Sequence, residues 1–134
     1  SEFWEMLKKL KKHNITIIVS TPYMDEAMKC DRVALIQKGG LLSINQPEKI
    51  REESGNRLFS VRAPDKYKLI NALRSCACIR TAYPFGDSVH VTFTGNEFDN
   101  SIYEYLSKMD ISNVTITETR AGIEDRFLEL MLQG

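Results

Sequence analysis

The sequence carries no surplus of charge of either sign: Lys+Arg and Asp+Glu both number 18 in 134 residues. Neutralising phosphates needs a basic excess or at least a basic face, so the balance argues against a nucleic-acid partner. Long apolar runs are missing too. The densest, Ile15 to Val19, is far short of a membrane span and contains Thr16. No leader pattern is legible at the N-terminus. Cysteine is scarce and odd in number, with Cys30, Cys76 and Cys78, which suits a reducing compartment. Cys76 and Cys78 form a Cys-X-Cys with no second ligand pair, so semi-buried thiols are expected there and no metal site. No Gly-x-x-x-x-Gly-Lys-Ser/Thr occurs, so no such loop cradles phosphates. No apolar strand ends in an acidic pair, so Mg²⁺ lacks its usual ligand. Gly39-Gly40 reads as a turn, because no helix with Lys and Ser follows it.

What is present is the composition of one or two small folded domains, 43% hydrophobic and 27% charged. The chain opens at Ser1 inside an apparent helix and without Met, which reads as a piece of something longer. Phe3, Met6, Leu7 and Leu10 recur at helical spacing, with Lys8, Lys9, Lys11 and Lys12 opposite as a solvated face. Asn14 is expected to end that helix. Ile15 to Val19 then reads as a strand buried on both faces, of the kind parallel sheets use. At its end Thr21 suits a helix cap and Pro22 the first helical position. Asp25 and Glu26 follow near the positive end of the helix dipole, and this helix is expected to reach about Lys29. Arg32 to Gln37 predicts a second strand, Lys38 to Gly40 a turn, and Leu41 to Ile44 an antiparallel return. A short helix over 48–53 starts at Gln46-Pro47 and closes at Gly55.

Beyond Gly55 the pattern changes to alternating strands. Asn56 to Ala63 predicts a strand, and Pro64-Asp65 opens a helix with Leu69, Ile70 and Leu73. Ile79 to Tyr83 predicts a strand, Pro84 to Asp87 a hairpin turn, and Val89, Val91 and Phe93 the returning strand. Phe98, Ile102, Tyr105, Leu106 and Met109 form a helical stripe, Asn113 to Glu118 a last strand, and Ile123, Phe127, Leu130 and Met131 one face of a terminal helix. Ser88, His90 and Thr92 fall on the polar side of their strand, so His90 is expected to be a solvated strand residue. The order β-α-β-β-α-β is the split βαβ, or ferredoxin-like, arrangement.

Val19-Ser20-Thr21-Pro22-Tyr23-Met24-Asp25-Glu26-Ala27, followed by Cys30-Asp31-Arg32-Val33-Ala34-Leu35-Ile36 and Lys38-Gly39, resembles the end of an ATP-binding-cassette (ABC) nucleotide-binding domain. There a buried strand ends in a Thr-His-x-Met-Asp-Glu-Ala switch, or H-loop. The closing Gly122-Ile123-Glu124-Asp125-Arg126-Phe127-Leu128-Glu129-Leu130 is similar to the ending of exporter-type members. The resemblance implies an α/β plus α+β chain: residues 1–55 as the tail of the ATPase core and 56–134 as a ferredoxin-like accessory domain with a terminal helix. It places the H-loop segment at Ser20, Thr21, Pro22, Tyr23, Asp25 and Glu26. Two departures stand out. Ala121-Gly122 replaces the usual Pro-Ser before the terminal motif. Pro22 occupies the position of the switch histidine, whose imidazole contacts the ATP γ-phosphate, and proline has neither a side-chain donor nor an N–H. His13 is no substitute, lying at the other end of the strand. The Leu-Ser-Gly-Gly-Gln signature is absent as well.

The resemblance therefore implies ATP and Mg²⁺ for the whole protein, and none for this chain, which is expected to be inactive on its own. It also implies a membrane-spanning permease and a second ATPase domain as partners, and a cytoplasmic place against the membrane through that permease. For the second half the leading expectation is an interaction or regulatory module. The alternative is a small-molecule-sensing domain of the ACT-like kind. An RRM-like RNA binder is disfavoured because His90 and its neighbours are not stacking aromatics, and a heavy-metal carrier by the cysteine spacing. With the neighbours of the Ile15–Ser20 strand expected elsewhere, a homo-oligomer formed through residues Phe3 to Ile44 is anticipated.

Overall fold

The computed structural model describes residues 2–133 and their side chains to residue 132; the expected segment limits at Ser1 and Gly134 lie outside them. Helix α1 (Glu2–Lys11) carries its acids first and its lysines last, as the helix dipole favours. Asn14, at φ 62°, turns the chain out of the helix in the left-handed conformation that asparagine tolerates. No strand follows. Residues 15–20 are irregular, and Ile18 is 92% exposed. The expected buried strand at Ile15–Val19 is thus corrected. A strand needs neighbours to satisfy its N–H and C=O groups, and among the described residues none lies beside it.

Helix α2 (Met24–Ala27) is a single turn, starting later and ending sooner than expected. Strands β1 (Val33–Gln37) and β2 (Gly40–Asn45) pair antiparallel as a separate two-stranded sheet. Lys38 and Gly39 both have positive φ, the requirement of a two-residue type I′ turn. Helix α3 (Pro47–Glu52) begins on proline, which suits a position whose N–H has no helical partner.

The second sheet contains β3 (Leu58–Arg62), β4 (Ile79–Phe85), β5 (Ser88–Phe93) and β6 (Thr115–Thr119), in the order β4-β5-β3-β6 with every pairing antiparallel. Helix α4 (Lys66–Arg74) joins β3 to β4, and its cap Asp65 accepts a hydrogen bond from the Lys68 amide at 3.1 Å. Helix α5 (Ser101–Lys108) joins β5 to β6. Strand β4 runs on through Pro84 and Phe85, so the hairpin turn contracts to Gly86-Asp87, with Gly86 at φ +59°. Pro84 is tolerated because β4 is an edge strand. Phe98 precedes α5 and packs as a loop residue on Phe59 and Phe93. The molecule is therefore mixed α and β with antiparallel sheets.

Two apolar clusters hold these elements. The larger gathers Phe59, Val61, Val89, Val91 and Phe93 from one sheet face against Leu69 and Leu73 of α4 and Ile102 and Leu106 of α5. The smaller packs Ala27, Val33, Leu35 and Ile50 around Ile123, with Phe127 and Leu130 beside it. These last three residues come from α6 (Ile123–Gln133), so the end of the chain returns to the segment before residue 55. No helix among the described residues is long and apolar enough to cross a membrane.

Candidate functional site

The H-loop-like segment is a tight turn leading into α2. Tyr23 occupies the cap position with no side-chain hydrogen bond, which corrects the expectation of a Thr21 cap with Pro22 inside the helix. Thr21 is used differently. Its Oγ1 accepts the Tyr23 amide at 3.1 Å, closing a local side-chain turn, and donates to Glu26 Oε1 at 2.8 Å. A hydroxyl has one proton to give, and here Glu26 takes it. Ser20, Pro22, Tyr23 and Asp25 are exposed. The structure thus brings Thr21, Tyr23 and Glu26 together, and leaves Ser20, Pro22 and Asp25 on the surface. The turn presents an acidic face, with Asp25 and Glu26 in the first turn of α2. Beside it Lys11 pairs with Asp31 at 2.6 Å. Chemically, the segment offers a phosphate neither an imidazole nor a free Thr21 proton.

A polar centre that the sequence reading missed lies where α6 crosses the open face of the four-stranded sheet. Ser88, His90 and Thr92 are all buried, which overturns the expectation of a solvated His90. His90 Nδ1 lies 2.6 Å from Asp125 Oδ1, and the two side chains are 7% and 4% exposed. Tyr83 donates its hydroxyl to the same oxygen at 3.3 Å. Asp125 Oδ2 accepts the Gly122 amide at 2.8 Å. That contact is half of a capping box, an acid at the third helical position reaching back to the cap, and it compensates for the weak Gly122 cap. The Phe85 ring stacks on the imidazole at 4.1 Å between centroids. Burial raises the Tyr83 phenol above its ordinary pKa, and the Asp125 carboxylate adds to the rise. Because a carboxylate only accepts, Nδ1 is the donor in this contact. The arrangement fixes one ring orientation and locks α6 to β4 and β5.

A second polar junction ties α6 to α3. Arg126 bridges Glu53 at 3.6 Å and Glu129 at 3.2 Å. Glu129 also accepts from Ser54 at 2.8 Å and Asn56 at 3.0 Å. Beside it opens a cleft of about 230 Å³ whose lining includes Arg51, Asn56, Arg57, Glu118 and Arg120. No local pattern in the sequence pointed to either junction, since both arise when α6 meets residues 35 to 75 positions away.

Comparison with known proteins finds relatives of part of the chain. No family model matches the chain. Over 55 residues, 41% of this chain, it is 34% identical to the probable multidrug ABC transporter ATP-binding protein YbhF of Escherichia coli, and equally to that of Shigella flexneri. Over 73 residues, 53% of the chain, it is 29% identical to the Nod factor export ATP-binding protein I of Mesorhizobium japonicum. Part of this chain is homologous to ABC transporter ATP-binding proteins. The matched stretches cover 10% of the YbhF proteins and 22% of the Nod factor export protein. The relationship agrees with the resemblance to the ABC ATP-binding family for part of the chain. It gives the chain an ABC ATPase-related role.

Proposed function

We propose that this chain is the H-loop segment and accessory domain of an exporter-type ABC ATPase, and that its work is interaction and regulation, not nucleotide chemistry. The observation that carries the reading is the Thr21 hydroxyl engaged by Glu26 at 2.8 Å, next to Pro22, which the resemblance sets at the switch-histidine position. Residues 1–55 then supply the degenerate end of the ATPase core, and residues 56–134 the accessory domain. The strand order β4-β5-β3-β6 with crossing helices α4 and α5 supports a ferredoxin-like reading of that domain. In the whole protein, a permease and a second ATPase domain are the partners, ATP and Mg²⁺ the cofactors, and the cytoplasmic membrane surface the location. The chain itself self-associates through its first segment. Phe3, Met6, Ile15, Ile18 and Tyr23 are between 46% and 92% exposed, and a second copy would cover them.

A phosphate-release assay joined to light scattering tests this. The expected result is no release above the buffer rate and a mass above that of the monomer. Turnover by the chain, or a clean monomer at high concentration, would each remove one half of the reading. The small-molecule-sensing alternative draws on the arginine-lined cleft beside α3, although Glu118 and Glu52 already pair with Arg57 and Arg120 there. A melting-temperature shift with a small anionic metabolite would favour it.

A further inference from the structure

Cys76 and Cys78 sit where α4 gives way to β4. The Cys76 amide donates to Leu73 O at 3.2 Å, and the Ile79 amide donates to Cys76 O at 3.2 Å, closing a turn around the pair. Cys78 O is held in place by the Thr94 amide at 3.0 Å. The two sulfurs lie 2.9 Å apart, which leaves no room for an atom between them. Cys76 is buried and Cys78 half-buried, so the pair spans the boundary between core and solvent. A zinc ion needs about 2.3 Å to each sulfur, so a bridging metal requires the sulfurs to part, whereas a bond between them requires only that they close.

We propose that Cys76 and Cys78 are an oxidation site at which a peroxide converts the two thiols into an intrachain disulfide. The Cys78 thiolate attacks one peroxide oxygen and the O–O bond breaks. Cys78 becomes a sulfenic acid, and the departing hydroxide takes up the proton the thiol had released, forming water. The Cys76 sulfur then attacks Cys78 Sγ. The S–S bond forms, the S–O bond breaks, and the hydroxyl leaves with the Cys76 proton as a second water. Two electrons pass from the thiols to the peroxide. Burial and the Cys76 neighbour push the Cys78 thiol up to about 12. Because the thiolate is the attacking form, the reaction is slow at neutral pH and accelerates about tenfold per pH unit.

The test treats the full chain with hydrogen peroxide, alkylates the remaining thiols, and digests with trypsin. Both cysteines fall on one peptide, Ser75 to Arg80, while Cys30 falls on another. The expected product is the 75–80 peptide, unalkylated and two hydrogens lighter, restored by dithiothreitol and formed about tenfold faster at pH 8 than at pH 7. The same product is expected in Cys30→Ser, which has no third thiol to exchange. A doubly alkylated 75–80 peptide, separate sulfinic or sulfonic acids on the two residues, or loss of the product in Cys30→Ser would overturn the proposal.

Discussion

Asp125→Ala takes away one acceptor from three donors at once: His90 Nδ1 at 2.6 Å, the Gly122 amide at 2.8 Å and the Tyr83 hydroxyl at 3.3 Å. Water is poorly placed to replace it, because the Asp125 side chain is 4% exposed. A hydrogen bond to a charged group contributes about 1.5–3 kcal/mol, and a buried donor left without a partner costs about 1–3 kcal/mol. The three bonds share one carboxylate and do not add, so the expected loss is about 3–5 kcal/mol in total. For a chain of this size 1 kcal/mol moves Tm by roughly 3–5 °C, which converts to a fall of roughly 9–25 °C. Urea unfolding followed by circular dichroism and by Trp4 fluorescence measures it. Asp125→Asn keeps an acceptor oxygen and is expected to fall between the wild-type chain and the alanine variant. A loss under about 1 kcal/mol in Asp125→Ala would show the carboxylate to be solvated and α6 to be held by its apolar face alone.

Ile50→Ala empties a fully buried position in the cluster under α6; a loss of about 2–5 kcal/mol and faster proteolysis within α6 are expected in a protease-protection assay. Ile18→Ser should leave the melting temperature unchanged, since the side chain is 92% exposed, while removing roughly 1.5–3 kcal/mol per copy from self-association, read by light scattering against concentration. The Tyr83 phenol keeps its proton in the folded state beyond its ordinary value of 10.0, whereas the unfolded chain releases it near that value. The stability it contributes is therefore intact below about pH 10 and falls as the pH climbs further. Tyr83→Phe should flatten that alkaline fall, as followed by unfolding at a series of pH values.

Period-two alternation placed β3 and β5 within a residue or two, because one face of each is apolar and the other is not. Helix α4 was legible from its Pro-Asp opening, and the first hairpin from Lys38-Gly39. The turn after β4 was read too long, because Pro84 looks like a breaker and is tolerated on an edge strand. Ile15 to Val19 misled for a different reason: an apolar run states what a strand prefers to be buried against, but a sheet also needs partners. His90 misled because its polar side was judged from β5 alone. Burial there depends on α6, whose Asp125 meets it from 35 residues away, and nothing in either local pattern records that meeting. Of the H-loop-like segment, the residue types were legible and the hydrogen bonding was not; Thr21 gives its proton to Glu26 rather than capping α2.

The proposed function gives this chain an ABC ATPase-related segment with no nucleotide chemistry of its own. Calorimetric titration of the chain with Mg-ATP tests it most directly. The H-loop-like segment offers Pro22 and no imidazole, and its Thr21 hydroxyl is committed 2.8 Å from Glu26, so only the heat of dilution is expected, up to millimolar nucleotide. A saturable isotherm with a micromolar Kd, about −8 kcal/mol of binding free energy, would contradict it.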